Sequence, residues 1–170
     1  MQEIPVLKIK NNPGTQLSLE QAFNIVPKDF GYEEFLLAEP VALSGFVENN
    51  GNQLFVKAEL KAKCLLVCSR CGGQFTLPLV CNFCEGYSQT PLADQEGEND
   101  IHQFFGDSIN PATEVLQRIF LELPMKALCK EDCKGLCPDC GINLNLDSCN
   151  CAAEKIDPRL EKLKDFIIKD

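Results

Sequence analysis

Six cysteines between residues 129 and 151 give the strongest chemical signal in the chain: Cys129, Cys133, Cys137, Cys140, Cys149 and Cys151. Zn²⁺ is well served by four thiolates in a tetrahedron, and a C-x2-C turn brings two sulfurs onto one ion. The segment Cys137-Pro-Asp-Cys140-Gly141 suits that use, because proline fixes one dihedral angle and glycine adopts backbone conformations closed to other residues. We therefore predict a zinc site built on Cys137 and Cys140.

A single tetrahedral ion accepts only four of these six thiols, and the spacing does not decide which four. Cys137 and Cys140 would be completed by two of the remaining cysteines, with the asparagine-rich stretch around residue 144 letting the chain fold back between them. An iron–sulfur cluster could use four of the same thiols. No other redox feature accompanies them, so zinc is the favoured metal. Burial as small apolar side chains suits such a hydrophilic segment poorly.

Two earlier cysteine pairs, Cys68-x2-Cys71 and Cys81-x2-Cys84, have the spacing of a zinc ribbon. In a continuous strand, however, Cys81 and Cys84 point to opposite faces and cannot bind one ion together. We interpret Cys64 and Cys81 as packing residues, in line with the burial preference of free cysteine. Cys68 and Cys71 remain a second candidate metal-binding pair.

A thioredoxin-type role for Cys68 and Cys71 would need the first thiol at a helix N-terminus, where the helix dipole lowers its pKa. Here Gly72-Gly73 and a strand follow instead, so we expect ordinary thiol pKa values. His102 is the only histidine, and its acidic neighbourhood suggests a surface position. Without a nucleophile–base set or a phosphate-binding glycine loop, we predict neither an enzyme nor a small-molecule substrate.

The overall composition excludes several classes of protein. With 25 acidic and 16 basic residues, the chain of 170 residues carries a net charge of −9, which argues against a generic polybasic nucleic-acid binder. Eleven cysteines without a recognisable secretion signal favour free thiols or metal ligands in a reducing compartment. No apolar run approaches the roughly 18 residues of a membrane span. We expect a cytoplasmic protein that contacts no membrane.

The pattern of residues predicts an α+β fold. Even-numbered positions from Leu54 to Leu66 are apolar while lysine and glutamate occupy odd ones, as in a strand with one buried face. If Gly72-Gly73 formed a two-residue turn, the returning strand would place Cys64 opposite Cys81. Ser18 could begin a short helix that ends before Pro27. Later, Asn110-Pro111 is typical of a helix start, and Asp157-Pro158 opens a final amphipathic helix.

We divide the chain into three parts on this basis. Residues 1–88 are expected to form an antiparallel β-sheet or a partly open β-barrel, with Cys68 and Cys71 in a hairpin turn. Residues 89–107 are rich in carboxylates and are interpreted as an acidic connector. Residues 108–170 would contain a helix, the cysteine-rich metal-binding segment, and a C-terminal helix that packs on the β domain.

One local basic patch interrupts the acidic character: Lys57, Lys61, Lys63 and Arg70. The three lysines lie on one face of the predicted strand, about 7 Å apart at each two-residue step, with the arginine near its turn. They could contact RNA phosphates or an acidic protein surface, although the global charge would keep RNA binding modest and salt-sensitive. The simpler interpretation is a solvated strand face.

The motifs together resemble the YceD family of bacteria and plastids over roughly residues 40 to 165. The resemblance rests on Cys68-Ser-Arg-Cys71, on Leu123-Pro-Met-Lys126, and on the run from Cys129 through Cys137-Pro-Asp-Cys140-Gly141 to Asn145, with Asp157-Pro-Arg-Leu160 closing it. The pair Cys81-x2-Cys84 departs from the family pattern. Some members lack the later cysteines, which suggests separate roles for the terminal cluster and for Cys68 with Cys71.

The resemblance implies a non-enzymatic ribosome biogenesis factor for maturation or accumulation of large-subunit, 23S-type rRNA. Its expected partners are a large-subunit rRNA precursor or a ribosomal or assembly protein, and its expected metal is a structural Zn²⁺. Two alternatives stay open: a thiol-based redox or metal-transfer protein, and a protein-binding module without ribosomal ties.

Overall fold

The computed structural model describes residues 3–90 and 101–151 and confirms the mixed α+β character of the chain. Within these two ranges, a short 3-10 turn at Pro27–Phe30 and one α-helix, α1 (Ala112–Glu122), accompany the strands. The eight strands of the described residues are β1 (Ile4–Pro5), β2 (Gln16–Phe23), β3 (Leu36–Leu37), β4 (Val41–Asn49), β5 (Leu54–Val67), β6 (Gln74–Ser88), β7 (Ile101–Gln103) and β8 (Ser108–Ile109). The predicted C-terminal helix beyond Asp157 lies outside the described residues.

The centre of the fold is a six-stranded open sheet with the order β2-β4-β5-β6-β7. Neighbouring strands run antiparallel, except that β7 lies parallel to β6 at the far end of the hairpin. The short strand β3 pairs with β5 beyond the end of β4. Strands β1 and β8 form a separate two-stranded ribbon. The long β5–β6 hairpin therefore lies in the middle of the sheet, with β3 and β4 next to β5 and with β7 next to β6.

The core lies on one face of the sheet because the side chains of β5 alternate with a period of two. Val56, Leu60 and Cys64 have no exposed surface, whereas Lys61 and Lys63 on the opposite face are exposed. The helix α1 packs against β6 and buries Val115, Leu116 and Ile119. No helix in the described ranges has both the length and the apolar character needed to cross a membrane.

The turn between β5 and β6 differs from the two-residue loop expected at Gly72-Gly73. Val67 pairs with Gln74, so the six residues from Cys68 to Gly73 form the turn. Cys64 consequently lies opposite Leu77, and Cys81 lies opposite Leu60. The predicted register of Cys64 with Cys81 is wrong by four residues. Because four is even, every side chain keeps its predicted face.

Two other segments also differ from expectation. Residues 16–23 form the edge strand β2 instead of contributing to a helix that begins at Ser18, and their pairing with β4 buries Leu19 and Phe23. Within the predicted acidic connector, residues 101–103 form β7 and pair with the end of β6. Backbone hydrogen bonding to an open sheet edge has overridden weak local sequence signals in both places.

Gly45 provides a test of the sheet, because it lies directly opposite Ala58. A Cβ atom at position 45 would approach the carbonyl oxygen of Lys57 to 2.1 Å and the Cα of Ala58 to 2.6 Å. Both atoms belong to the backbone, so β4 and β5 would have to separate. We expect Gly45→Ala to lower the free energy of unfolding by about 2 to 3 kcal/mol in urea denaturation.

The neighbouring exposed position provides the control for this measurement. Ser44→Ala should change the free energy of unfolding by less than about 0.5 kcal/mol. Equal unfolding midpoints for the two variants would contradict the close approach of the strands.

Candidate metal centre

Eight of the eleven cysteines are gathered into two groups of four, and in each group all four Sγ atoms lie within 4.8 Å of one another. The first group, called here the long-range group, joins the β5–β6 turn to the segment after α1. The second, called the local group, is built entirely from the C-terminal cysteine segment. The long-range group contains Cys68, Cys71, Cys129 and Cys133, and the local group contains Cys137, Cys140, Cys149 and Cys151.

In the long-range group, the sulfur separations can be compared with those around a single tetrahedral ion. Sγ of Cys68 lies 3.8 Å from Sγ of Cys133, and Sγ of Cys71 lies 3.8 Å from Sγ of Cys129. A regular tetrahedron with metal–sulfur bonds of about 2.3 Å has edges of about 3.8 Å. A disulfide would need about 2.05 Å between sulfurs. Each group could therefore hold a metal ion.

Both groups begin with the same C-x2-C-G turn. In the long-range group, the amide of Gly72 donates to the carbonyl of Cys68 at 2.9 Å, and the amide of Cys68 donates to the carbonyl of Gly73 at 2.9 Å. The local group repeats both bonds. Gly141 donates to Cys137 at 2.9 Å, and Cys137 donates to Ile142 at 2.8 Å. Gly72 and Gly141 have φ values of 67° and 74°, in the left-handed region that favours glycine.

Several contacts hold the segment after α1 against the hairpin turn. The amide of Ser69 donates to the carbonyl of Ala127 at 2.8 Å. The Arg70 guanidinium donates to the carbonyls of Glu131 and Cys133 at 3.0 and 2.9 Å. A small apolar cluster forms around the buried Cys68, Cys71 and Cys133, against which Phe75 and Leu128 pack. Three of the four cysteines of the long-range group are thus buried, while Cys129 is exposed.

Asn145 connects the two groups. Its side-chain amide donates to Sγ of Cys133 at 3.3 Å, while its Oδ1 accepts from the backbone amide of Lys134 at 2.9 Å. The same residue lies in the loop that leads from Cys140 to Cys149, and Asn143 of that loop forms a β-bridge with Leu136. Hydrogen bonds to ligand sulfurs of this kind orient the thiolate and adjust its basicity.

The thiol pKa values differ widely within each group. The Cys129 backbone amide, followed by those of Cys71 and Arg70, lowers the pKa of Cys68 to about 6, while burial raises the pKa of Cys129 to about 12. In the local group, the backbone amides of Cys140 and Asp139 lower the pKa of Cys137 to about 7. The pKa of Cys151 rises to about 12, chiefly through the Cys140 side chain.

This contrast between neighbours has a simple cause. Four thiols in contact cannot all ionise without a counter-charge, so one thiolate is favoured at the expense of the others. A bound divalent cation would remove that penalty, since the thiolate is the form that binds metal. The ordinary pKa expected for Cys68 is wrong: backbone amides of the turn and of the docked segment lower it without a helix dipole.

The structure shows which cysteines lie together, a question that the spacing alone did not decide. Cys137 and Cys140 lie with Cys149 and Cys151, whereas Cys129 and Cys133 lie with the earlier pair Cys68 and Cys71. Cys68 and Cys71 therefore share their group with two cysteines of the C-terminal segment, and the separate roles expected for the terminal cluster and the Cys68–Cys71 pair stay a prediction. The repeated C-x2-C-G pattern was the signal that could have revealed two equivalent turns.

The three cysteines outside the two groups and His102 lie elsewhere on the sheet. Cys64 is fully buried, Cys81 is half-buried against the core, and Cys84 is exposed on the opposite face of β6. His102 is not a freely exposed surface residue. Its ring lies between two carboxylates, with Nε2 3.2 Å from Oε2 of Glu85 and Nδ1 3.3 Å from Oε1 of Glu114.

The three lysines of the predicted basic patch share the solvent face of β5, but each is paired with a carboxylate. Nζ of Lys57 lies 2.5 Å from Glu48, Nζ of Lys61 lies 2.5 Å from Glu59, and Nζ of Lys63 lies 2.8 Å from Glu39. Arg70 is engaged with backbone carbonyls at the long-range group. Contact of these residues with RNA stays a prediction, and their pairing weakens the positive field it would use.

Fold and site together define an open-sheet protein in which cysteine groups join the tip of a long hairpin to a C-terminal cysteine-rich segment. A family model described as large ribosomal RNA subunit accumulation protein YceD matches residues 56–167, and the chain belongs to this family. The matched range includes most of β5, all of β6 and α1, and all eight grouped cysteines. The family is named for accumulation of an RNA, not for an enzymatic activity.

Relatives occur in bacteria and in a plant. An uncharacterized protein of Mycobacterium tuberculosis is 24% identical over 170 residues, which cover 96% of this chain and 80% of that protein. The uncharacterized protein YlbN of Bacillus subtilis is 27% identical over 132 residues, or 77% and 76% of the two chains. The chloroplastic large ribosomal RNA subunit accumulation protein YCED homolog 1 of Arabidopsis thaliana is 37% identical over 49 residues, or 29% and 15%. No solved structure matches the chain.

The two groups predict a metal content of two ions per chain. Cys68→Ser with Cys71→Ser, and separately Cys137→Ser with Cys140→Ser, should each remove one ion, because each pair supplies half of one tetrahedron. Elemental analysis of the purified protein measures this directly. Cys81→Ser with Cys84→Ser is the matched control and should retain both ions. A single ion per chain, lost in only one of the double variants, would contradict two independent centres.

The paired lysines generate a second prediction. We expect Lys57→Gln, Lys61→Gln and Lys63→Gln together to leave any association with large-subunit precursor particles within about twofold of the wild type, because each ammonium group is held by a carboxylate and is not free to bind a phosphate. Exposed ion pairs contribute about 0 to 1 kcal/mol each, so thermal stability should change little. Sedimentation of tagged protein with precursor particles measures the association. A large loss with a flatter salt dependence would instead indicate direct phosphate contacts.

Proposed function

We propose that this chain is a non-enzymatic ribosome biogenesis factor that supports accumulation or maturation of large-subunit, 23S-type rRNA. The observation that carries the proposal is the family match over residues 56–167, because it spans the hairpin, the helix and both cysteine groups as one unit. The family name indicates which RNA is concerned, that of the large ribosomal subunit. The sheet and the cysteine groups offer a surface that could bind a partner, and binding of a partner needs no catalysis.

Zn²⁺ is the metal we assign to both groups. The four sulfurs of each group lie within 4.8 Å of one another, as around one ion, whereas an iron–sulfur cluster carries several irons and sulfides and would spread its cysteines further apart. Zinc has no redox chemistry of its own, and structural zinc sites are typically closed by four protein ligands. The metal would therefore stabilise the docked segment and would not act on a substrate.

The lowered pKa of Cys68 would suit the alternative of a thiol-based redox protein, but the arrangement of the thiols favours metal binding. Cys68 has three thiol neighbours in one tetrahedral group, and it lies opposite Cys133 of a different segment at 3.8 Å. A dithiol catalyst needs an accessible attacking sulfur, whereas only 2% of the surface of Cys68 is exposed. The geometry thus supports the zinc-bearing biogenesis factor over a thiol-based catalyst.

The decisive experiment measures rRNA in the source cell. Depletion of the protein should lower the ratio of large-subunit to small-subunit rRNA, and re-expression of the wild type should restore it. Cys68→Ser with Cys71→Ser should fail to restore the ratio, because the C-terminal segment would lose its attachment to the hairpin. Quantitative northern blotting measures mature and precursor species.

Cys81→Ser with Cys84→Ser provides the matched control, since it removes another C-x2-C pair while leaving both groups complete. This variant should restore the ratio as the wild type does. An unchanged rRNA ratio after depletion would contradict the ribosomal role and favour a binding module with other partners. Full restoration by the Cys68 and Cys71 variant would show that the long-range group is dispensable for the function.

A further inference from the structure

The loop between Cys140 and Cys149 belongs to the local group, yet one of its side chains reaches the long-range group. Each group has its own four ligands, and only residues 134–136 separate Cys133 of one group from Cys137 of the other. Asn145 of this loop makes hydrogen bonds on both sides. A change at one group can therefore reach the other through a single side chain.

On the side of the long-range group, Asn145 holds both Cys133 and the residue that follows it. Its Nδ2 donates to Sγ of Cys133 at 3.3 Å, and its Oδ1 accepts from the backbone amide of Lys134 at 2.9 Å. Cys133 is only 3% exposed, so little water can replace this donor. The thiolate is the form that binds metal, and an N–H donor favours the thiolate over the thiol.

On the side of the local group, Asn145 is held by Asn143. Oδ1 of Asn143 accepts from the backbone amide of Asn145 at 3.0 Å and from its Nδ2 at 2.8 Å. Both hydrogens of Nδ2 are then used, one by the Cys133 sulfur and one by Asn143. An exchange of nitrogen and oxygen in the Asn145 amide would place an oxygen against that sulfur and a nitrogen against the Lys134 amide. The hydrogen bonds therefore allow one orientation of this side chain.

Closure of the local group would fix the loop that carries Asn145. Cys140 and Cys149 lie at the two ends of the loop, and its Leu144 amide donates to the carbonyl of Gly135 at 2.9 Å. An ion bound by both cysteines would restrict the backbone of residues 141–148. Because ordering a loop costs conformational entropy, an Asn145 already ordered by one ion donates to Cys133 at a lower cost.

We propose that Asn145 is a positioning residue that couples the two metal groups, so that an ion in the local group raises the affinity of the long-range group for Zn²⁺. The inference rests on the zinc assignment made above and goes beyond it, since two groups with separate ligands can also fill without regard to each other. Coupling between binding sites is reciprocal, so an ion in the long-range group raises the affinity of the local group by the same factor. Removal of a hydrogen bond to a metal ligand lowers metal affinity by about 10- to 100-fold.

The experiment uses the full chain with Cd²⁺ as the probe, because this ion replaces Zn²⁺ at thiolate sites and has an NMR-active isotope. Each group should give its own cadmium resonance, and the one absent from Cys68→Ser with Cys71→Ser belongs to the long-range group. Competition with a chelator of known affinity, in a phosphine reductant that does not bind the metal, gives the affinity of each group from its own signal.

A cycle of variants then tests the coupling. Cys137→Ser with Cys140→Ser disables the local group and should weaken Cd²⁺ binding at the long-range group about tenfold. Asn145→Leu, which removes the amide at similar volume, should also weaken it about tenfold. The combined variant should bind about as well as either alone, because both changes break the same link. Losses of this size leave a four-thiolate site filled in purified protein, so the metal contents expected above are unchanged.

The chemical shift of the bound cadmium provides a second readout that does not depend on affinity or on the variant with a disabled local group. Loss of the hydrogen bond to Cys133 changes the charge on one of the four ligand sulfurs, so Asn145→Leu should shift the long-range resonance. Asn82→Leu is the matched control, because Asn82 is exposed on β6 and belongs to neither group. It should leave both resonances in place and both affinities within about twofold of the wild type.

Three results would overturn the coupling. They are equal affinity of the long-range group with and without Cys137 and Cys140, effects of the two changes that multiply to about a hundredfold when combined, and equal effects of Asn145→Leu and Asn82→Leu. Each of these results leaves the zinc assignment standing, because both groups would still bind a metal ion. A chain that takes up neither Zn²⁺ nor Cd²⁺ would remove the zinc assignment and the coupling together.

Discussion

The antiparallel ladder between β5 and β6 is the constraint on which the other features depend. It runs without interruption from the pair Leu54 and Tyr87 to the pair Val67 and Gln74. A slip of one residue would move every apolar side chain of β5 to the solvent face, so burial of Val56, Leu60 and Cys64 fixes the register. The same ladder holds Cys68 and Cys71 at one end and Tyr87 beside α1 at the other. The long-range cysteine group and the packing of α1 therefore both depend on one hairpin.

At the tip of this hairpin, the cysteines act together with ordinary contacts. Arg70 donates to two carbonyls of the segment after α1, and Gly135 lies so close to the turn that a Cβ atom there would approach the Arg70 carbonyl oxygen to 3.0 Å. The segment after α1 contains little regular secondary structure and has little apolar surface to bury against the hairpin. A tetrahedral ion would supply the missing stabilisation, as it does in small zinc domains.

The sequence predicted the elements with strong periodicity and missed the arrangements that depend on distant residues. The alternation of β5 was clear because period two is a local property of the chain. Gly72-Gly73 suggested a two-residue turn, but the C-x2-C-G hydrogen bonds require the whole stretch from Cys68 to Gly73. The partner cysteines of the turn lie 58 and 65 residues away, beyond any local pattern. The contact of Tyr87 with Glu114 likewise results from the packing of α1 on β6.

The ligand separations along the chain also impose an order of events on folding. The local group lies wholly between Cys137 and Cys151, so its four thiols can meet as soon as that stretch exists. The long-range group must close a loop about four times longer, which costs roughly 1.2 kcal/mol more by two doublings of loop length, and it also needs the hairpin and α1 in place. Metal occupancy of the long-range group would therefore report completed tertiary structure, whereas occupancy of the local group would report only that the C-terminal segment has been synthesised.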